Sequence, residues 1–76
     1  NIMETLQQWL AQQRKQKNLT ELQLAKILDK PVSYIQDIEQ GRYILGIVEF
    51  LEYCGALETE PNLGIEVIEN KLKNRK

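Results

Sequence analysis

Histidine is absent from this sequence of 76 residues, and cysteine occurs once, at Cys54. Without histidine and with a single thiol, the chain holds neither a zinc ligand set nor a disulfide framework. No apolar run approaches the roughly 18 residues of a membrane span, and no basic leader precedes an apolar block. We therefore expect a cytoplasmic protein with no metal, no cofactor and no membrane contact.

The chain is also too short for a large enzyme fold. Its 76 residues correspond to one domain, which buries only about 60% of its extended surface and leaves little for a deep substrate pocket. The sequence has no glycine-rich phosphate loop, no carboxylate pair with a cleft to hold it, and no histidine to activate Cys54. It predicts one non-enzymatic domain over residues 1–76, with a flexible basic tail at about 74–76.

Positive charge is not in excess. Ten basic residues oppose eleven acidic ones, for a net charge of −1, whereas nucleic-acid-binding domains are typically basic. The charges are unevenly distributed, because residues 1–18 and 61–76 are net basic while residues 19–60 are net acidic. The net charge therefore does not describe any one surface of the domain.

Helical periodicity is abundant, whereas no segment keeps the period-two alternation of a strand. Thr20 and Gln23 have the spacing of a capping box at the start of the second helix. Pro31 fits the first turn of the third helix, and Gly41 fits its left-handed C-terminus. The sequence predicts an all-α domain of five helices. They cover about 3–16, 21–28, 31–40, 46–56 and 62–73.

The apolar spacing within these helices predicts which side of each faces the core. The aromatic residues Trp9, Phe50 and Tyr53 lie on apolar stripes, so we expect them in the core and not as base-stacking platforms. Cys54 is expected there as a small core residue. The other positions predicted to face inward are Ile2, Leu6, Leu10, Gln13, Leu24, Ile27, Leu28, Ile35, Ile38, Ile47, Leu51, Leu63, Val67, Ile68 and Leu72.

Two short helices joined by a tight turn, 21–28 and 31–40, have the pattern of a helix-turn-helix, whose second helix can enter the major groove of DNA. Ala25 is small, as the crossing of two close helices requires. Asp29 stands where the chain turns and is one of the few non-glycine residue types that tolerate a positive φ. A plain helical bundle has the same periodicity, so spacing alone leaves both interpretations open.

The run from Leu19 to Gly41 resembles the lambda-repressor-like, XRE-type helix-turn-helix family of bacterial and phage transcriptional regulators. The segment from Arg42 to Leu57 resembles the next turn and helix of that family, and the likeness covers about residues 10–68. The resemblance implies a compact five-helix domain that regulates transcription with its third helix in the major groove of double-stranded DNA. We expect a homodimer, because one short helix contacts too few base pairs for useful specificity.

The resemblance also implies which residues contact DNA. Val32, Ser33 and Asp37 hold positions from which the family reads bases, and Val32 suits a thymine methyl group while Asp37 suits a cytosine amino group. Donors near helix N-termini, together with neighbouring polar and basic side chains, suit phosphates. The predicted DNA-binding residues are Gln23, Lys30, Val32, Ser33, Gln36, Asp37, Arg42 and Tyr43.

Four positions depart from the family pattern and keep a second function open. Family members usually have glycine at the position of Asp29, a polar residue at Val32, a basic or polar residue at Asp37, and often arginine near Ile44. An acidic third helix with an exposed apolar patch around Val32 would favour a protein-interaction or dimerisation module that has lost DNA binding. A basic surface along that helix would favour a DNA-binding regulator.

Arg14 and Glu39 hold positions that often pair in the resembled family. The resemblance implies an internal ion pair that joins the first helix to the end of the third and orients the helix that reads DNA. Solvated surface charges are the common alternative for these residue types.

Overall fold

The computed structural model describes the backbone of residues 2–74 and the side chains of residues 4–74. This part of the chain contains helices and no strand, which confirms the all-α prediction, and each predicted helix bound differs from the observed one by at most one residue. The tail predicted at about 74–76 lies outside the described residues except for Asn74, as does the side chain of Ile2. The helices are α1 (Ile2–Gln16), α2 (Glu21–Leu28), α3 (Val32–Glu39), α4 (Ile47–Leu57) and α5 (Pro61–Lys73).

Local signals define the ends of α2 and α3 as the sequence predicts, with one exception. The backbone N–H of Gln23 donates to Thr20 Oγ1 (3.0 Å), and the N–H of Thr20 donates to Gln23 Oε1 (2.8 Å), which completes the capping box. Asp29 ends α2 with a left-handed φ of 57°, and Gly41 follows α3 with a φ of 83°. Pro31 is the N-cap of α3 and not its first helical residue, because its extended backbone belongs to the preceding turn.

The core lies where α1, α2, α3 and α4 meet. The predicted core positions Leu6 and Leu10 of α1 and Ile35 and Ile38 of α3 are buried, as are the aromatic side chains of Trp9, Phe50 and Tyr53. Helix α5 packs mainly against α1, where Gly64 lies under the ring of Trp9. The buried apolar residues are Leu6, Trp9, Leu10, Leu24, Ala25, Ile35, Ile38, Phe50, Tyr53, Cys54 and Leu57.

The predicted inward side of α4 is partly wrong. Phe50 and Cys54 are buried, but Ile47 is 68% exposed and Leu51 is 48% exposed. The buried arc is instead formed by Phe50, Tyr53, Cys54 and Leu57. These four positions have the spacing i, i+3, i+4 and i+7 of one helix side, and the helices that α4 contacts, α1, α2 and α5, leave Ile47 and Leu51 exposed.

Three further apolar positions face solvent where the sequence predicts burial. Ile27 is exposed because α3 packs against the side of α2 that carries Leu24 and Ala25. Leu63 and Leu72 are exposed because α5 meets α1 through the side that carries Gly64. Val67 and Ile68 are half-buried against the core, as are Leu28 and, on α1, Gln13.

Candidate nucleic-acid interface

The close crossing of α2 and α3 decides which side of α3 faces solvent. Ala25 is 1% exposed, and Leu24, Ile35 and Ile38 are fully buried around it. Ile35 and Ile38 occupy the inner side of α3, so the residues on the opposite side of that helix face outward. We define the outer side of α3 as Ser33, which is exposed, with Gln36 and Asp37, which are half-buried.

Arg14 and Glu39 form the internal ion pair that the family resemblance implies. Arg14 Nε donates to Glu39 Oε2 at 2.7 Å and Nη2 donates to Oε1 at 3.1 Å. Arg14 Nη1 also donates to the carbonyl oxygen of Leu19 at 2.8 Å. The two side chains are only 11% and 9% exposed, and the hydrogen bond to Glu39 raises the pKa of Arg14. One guanidinium therefore joins α1, the connection to α2, and the end of α3.

A second ion pair lies on the outer side of the same helix. Arg42 Nη2 and Nε both donate to Asp37 Oδ1, at 2.8 and 3.1 Å, and Nη1 donates to Gln40 Oε1. These side chains remain well exposed, at 60% for Arg42 and 40% for Asp37. Arg42 is thus held along the edge of α3 by a residue that the sequence predicts to contact a base.

The two ion pairs change the electrostatic character of α3. Its two acidic residues are Asp37 and Glu39, and each carboxylate is paired with an arginine from outside the helix. The negative charge of α3 itself is therefore compensated within the fold. An uncompensated acidic surface, which would favour the interaction module, is not what α3 presents.

Lys30 and Tyr43, predicted as phosphate contacts, belong to a cluster beside α3. Lys30 Nζ lies 5.3 Å from the ring centroid of Tyr34, within the range of a cation–π contact. The ring of Tyr34 meets that of Tyr43 edge to face at 5.3 Å. The hydroxyl of Tyr43 donates to Glu49 Oε2, and that of Tyr34 lies 3.5 Å from the same oxygen.

This cluster, which we call the tyrosine cluster (Lys30, Tyr34, Tyr43 and Glu49), fixes the connection between α3 and α4. Glu49 Oε1 accepts from the backbone N–H of Gly46 at 3.0 Å. The hydrogen bond from Tyr43 lowers the pKa of Glu49, and burial raises the pKa of Tyr34 to about 12. The Tyr43 hydroxyl is therefore already engaged by a carboxylate, and only the exposed part of its half-buried side chain is open to a ligand.

The remaining predicted site residues lie on both sides of the turn. The capping box engages the amide oxygen of Gln23 and leaves the amide NH2 group as a donor. Ser33 is exposed in the first turn of α3, and Gln36 is half-buried one turn later. Val32 is half-buried against the core, so it is not the centre of an exposed apolar patch.

Three residues that shape this surface are not among the predicted site residues. Gln40 accepts a hydrogen bond from Arg42, the ring of Tyr34 packs against that of Tyr43, and Glu49 accepts a hydrogen bond from Tyr43. Gly46 and Glu49 have the spacing of an N-cap residue and the N3 residue whose side chain accepts from the N-cap backbone N–H. This local signal would have predicted that Glu49 lies at the start of α4. Nothing in the local sequence indicates the contact between Tyr34 and Tyr43, which depends on tertiary packing.

Two other kinds of site are not found in the described residues. Residues 4–74 contain no group of three potential metal ligands, and no helix described here is long and apolar enough to cross a membrane.

Burial raises the pKa of the Cys54 thiol to about 11, so the thiol is protonated at neutral pH and is a poor nucleophile.

The comparison with known families agrees with this geometry. The helix-turn-helix family model matches residues 10–63, which is most of the chain. The chain belongs to the lambda-repressor-like, XRE-type helix-turn-helix family. This is a family of DNA-binding regulators whose members are typically without enzymatic activity. No curated protein matches the sequence.

Proposed function

We propose that this helix-turn-helix domain is a sequence-specific transcriptional regulator that binds double-stranded DNA through the outer side of α3. The observation that carries the proposal is the pairing of both α3 carboxylates with Arg14 and Arg42. Because both carboxylates are paired within the molecule, α3 repels the phosphate backbone of DNA less than two free carboxylates would.

The outer side of α3 suits contacts to base edges. Ser33 donates or accepts through its hydroxyl, and the amide of Gln36 has the donor and acceptor that recognise adenine in the major groove. Asp37 accepts from a cytosine amino group while it holds Arg42. Val32, half-buried at the start of α3, adds an apolar contact to a thymine methyl group.

Phosphate contacts come from the edges of the helix-turn-helix. A guanidinium has five N–H donors, and Arg42 retains donors for a phosphate oxygen beyond those directed at Asp37 and Gln40. Lys30 is exposed in the turn, the amide of Gln23 lies at the start of α2, and Tyr43 adds the exposed part of its side chain. Two copies on a two-fold-related operator would double this small set of contacts.

Duplex titrations at two salt concentrations test the proposal, using DNA that flanks the protein's own gene and a library of random duplexes. The informative variant is Asp37→Lys, which removes a carboxylate and adds a cation on the outer side of α3. The matched control is Glu66→Lys, which makes the same change of charge at an exposed position of α5. Arg42→Ala is paired in the same way with Lys73→Ala.

Wild-type affinity should fall as salt rises, with log K decreasing by about 0.9 per neutralised phosphate for each tenfold rise in salt. Asp37→Lys should tighten binding to any duplex and steepen that slope, whereas Glu66→Lys should change both much less. Arg42→Ala and Ser33→Glu should weaken binding more than Lys73→Ala does. Equal effects of Asp37→Lys and Glu66→Lys would show that only net charge matters, and would contradict binding through α3.

The alternative function is a helix-turn-helix module that binds proteins and not DNA. Under that alternative the wild type shows no duplex binding even at low salt, and changes at Ser33 and Arg42 leave the titration unaffected. Absence of binding to both the flanking DNA and the random library would therefore contradict the regulator and support the interaction module.

A further inference from the structure

Asp37 and Arg42, which we call the outer ion pair, are joined by the backbone as well as by their side chains. The backbone N–H of Arg42 donates to the carbonyl oxygen of Asp37 at 2.8 Å, and that of Gly41 donates to the carbonyl oxygen of Ile38 at 3.2 Å. With Gly41 at a left-handed φ of 83°, this is the Schellman motif of a helix C-terminus. It fixes the main chain of Arg42 close to that of Asp37.

Side-chain contacts fix the guanidinium of Arg42 on two sides. Nη2 and Nε both donate to Asp37 Oδ1. Nη1 donates to the amide oxygen of Gln40, which is exposed at the end of α3. These bonds use three of the five N–H donors of a guanidinium, so one donor on Nη1 and one on Nη2 are left for a ligand.

The carboxylate of Asp37 keeps an acceptor beside those two donors. Its Oδ2 atom receives neither of the Arg42 hydrogen bonds, and the side chain is 40% exposed on the outer side of α3. Because a hydrogen bond of 2.8 Å joins the carboxylate to the guanidinium, the acceptor and the donors lie close enough together to contact one base pair.

The major-groove edge of a C·G base pair has the complementary arrangement. It presents the amino group of cytosine as a donor, followed by O6 and N7 of guanine as acceptors. The amino group and O6 are joined by a Watson–Crick hydrogen bond of about 2.9 Å, close to the separation of Nη2 and Oδ1 in the outer ion pair. An A·T pair has a single acceptor on each side of its amino group, so it satisfies only one of the two donors.

We propose that the outer ion pair recognises one C·G base pair in each half of the operator. Asp37 Oδ2 accepts from the cytosine amino group, and Arg42 donates to O6 and N7 of the paired guanine. The inference rests on the proposed function, because it requires the outer side of α3 to lie in the major groove. It gives Arg42, in the turn after α3, a part in base recognition that the sequence does not predict.

A phosphate contact engages only half of the outer ion pair. A phosphate oxygen accepts from Arg42, but it offers no donor to Asp37 Oδ2 and its negative charge repels that oxygen. The C·G edge engages both halves. The donors of Arg42 that suit a phosphate oxygen therefore pass to guanine where the sequence supplies a C·G pair.

Selection from the random duplex library, followed by point changes in the selected duplex, tests the proposal. The wild type should select a C·G pair at one position of each half-site, and its replacement by any other pair should lower affinity about fivefold or more. Arg42→Ala and Asp37→Asn should each lose most of this preference. Exposed ion pairs contribute little to stability, so both variants should fold, which thermal melts check.

Lys30→Ala is the matched control, because it removes an exposed cation from the same helix-turn-helix. It should lower the affinity for all four base pairs at that position alike. A second control acts on the DNA, where 7-deazaguanine replaces N7 of the paired guanine by a C–H group. This change should weaken wild-type binding about tenfold, as expected for one hydrogen bond to a charged donor, and leave binding by Arg42→Ala unchanged.

Two results would overturn the proposal. One is a C·G preference that survives Arg42→Ala, and the other is a loss of affinity in Arg42→Ala that is equal for all four base pairs, as in Lys30→Ala.

The duplex titration separates this inference from the proposed function. A protein whose binding responds to Asp37→Lys and not to Glu66→Lys, but which has no C·G preference, keeps the regulator and loses the base-pair assignment. A protein that binds no duplex loses both.

Discussion

The inner and outer sides of α3 each carry a paired carboxylate, and the two carboxylates lie in very different surroundings. Glu39 lies at the inner edge, 9% exposed, in a two-bond contact with Arg14, whereas Asp37 lies on the outer side, 40% exposed, in contact with Arg42. Ile35 and Ile38 are fully buried, while Ser33 faces solvent. The inner side therefore determines stability, and the outer side is free to determine what the domain binds.

The inner ion pair should give the largest loss of stability. Arg14→Ala leaves Glu39 as an uncompensated, nearly buried charge, and Glu39→Gln does the same to Arg14. Each single change should lower the free energy of unfolding by about 3–5 kcal/mol, and the double variant should lose less than the sum. Denaturant unfolding of the three proteins measures this. Small and additive losses would show that the pair behaves as exposed surface charges.

The helix crossing comes next in size. Ala25→Leu adds a bulky side chain where α2 meets α3 and should cost about 1–3 kcal/mol through overpacking. Lys26→Leu is the neighbouring control, because Lys26 is exposed and a surface change of this kind should stay within about 0.5 kcal/mol. Thermal melts in which the two variants behave alike would contradict the close crossing.

Two helical glycines repeat the contrast between inward and outward positions. A Cβ atom at Gly64 would lie 2.7 Å from Trp9 Cζ3, whereas one at Gly55 would meet nothing within 4 Å. Gly64→Ala should therefore destabilise the domain as α1 and α5 are forced apart. Gly55→Ala should stabilise it by about 0.5–1 kcal/mol, the helix preference of alanine over glycine. Melting temperatures that shift in the same direction would refute the packing of α5 on α1.

The outer ion pair should give the smallest effect on stability. Asp37→Ala and Arg42→Ala break a contact between side chains that are 40% and 60% exposed, and such pairs contribute about 0–1 kcal/mol. Denaturant unfolding should place both variants near the wild type, even though Arg42→Ala is expected to weaken duplex binding. If either variant lost as much unfolding free energy as Arg14→Ala, the outer ion pair would matter for stability as much as the inner one, which would contradict the account.

The sequence predicts the helix-turn-helix unit well because its signals are local. The capping box of Thr20 and Gln23, the left-handed Asp29 and the buried Ala25 each follow from the chemistry of one or two neighbouring residues. The family resemblance adds the long-range pair of Arg14 and Glu39. Periodicity fails on α4, where Ile47 and Leu51 are exposed, because it shows an apolar side without showing whether a partner covers it.

The candidate site is less predictable for a similar reason. The sequence predicts the residues around α3 one at a time, as though each were free to contact DNA. In the structure Arg42 is held by Asp37 and Tyr43 by Glu49. Contacts between side chains of different elements depend on the final packing, and they convert an apparently acidic helix into one whose charges are compensated.

An NMR titration of the isotope-labelled wild type with duplex DNA from its own flanking region tests the central claim most directly. The account predicts that the largest changes in backbone amide shifts occur at Ser33, Gln36 and Arg42, with little direct effect at the buried Ile35 and Ile38. Shifts concentrated on α4 and α5 on addition of DNA, with the outer side of α3 unchanged, would contradict the account.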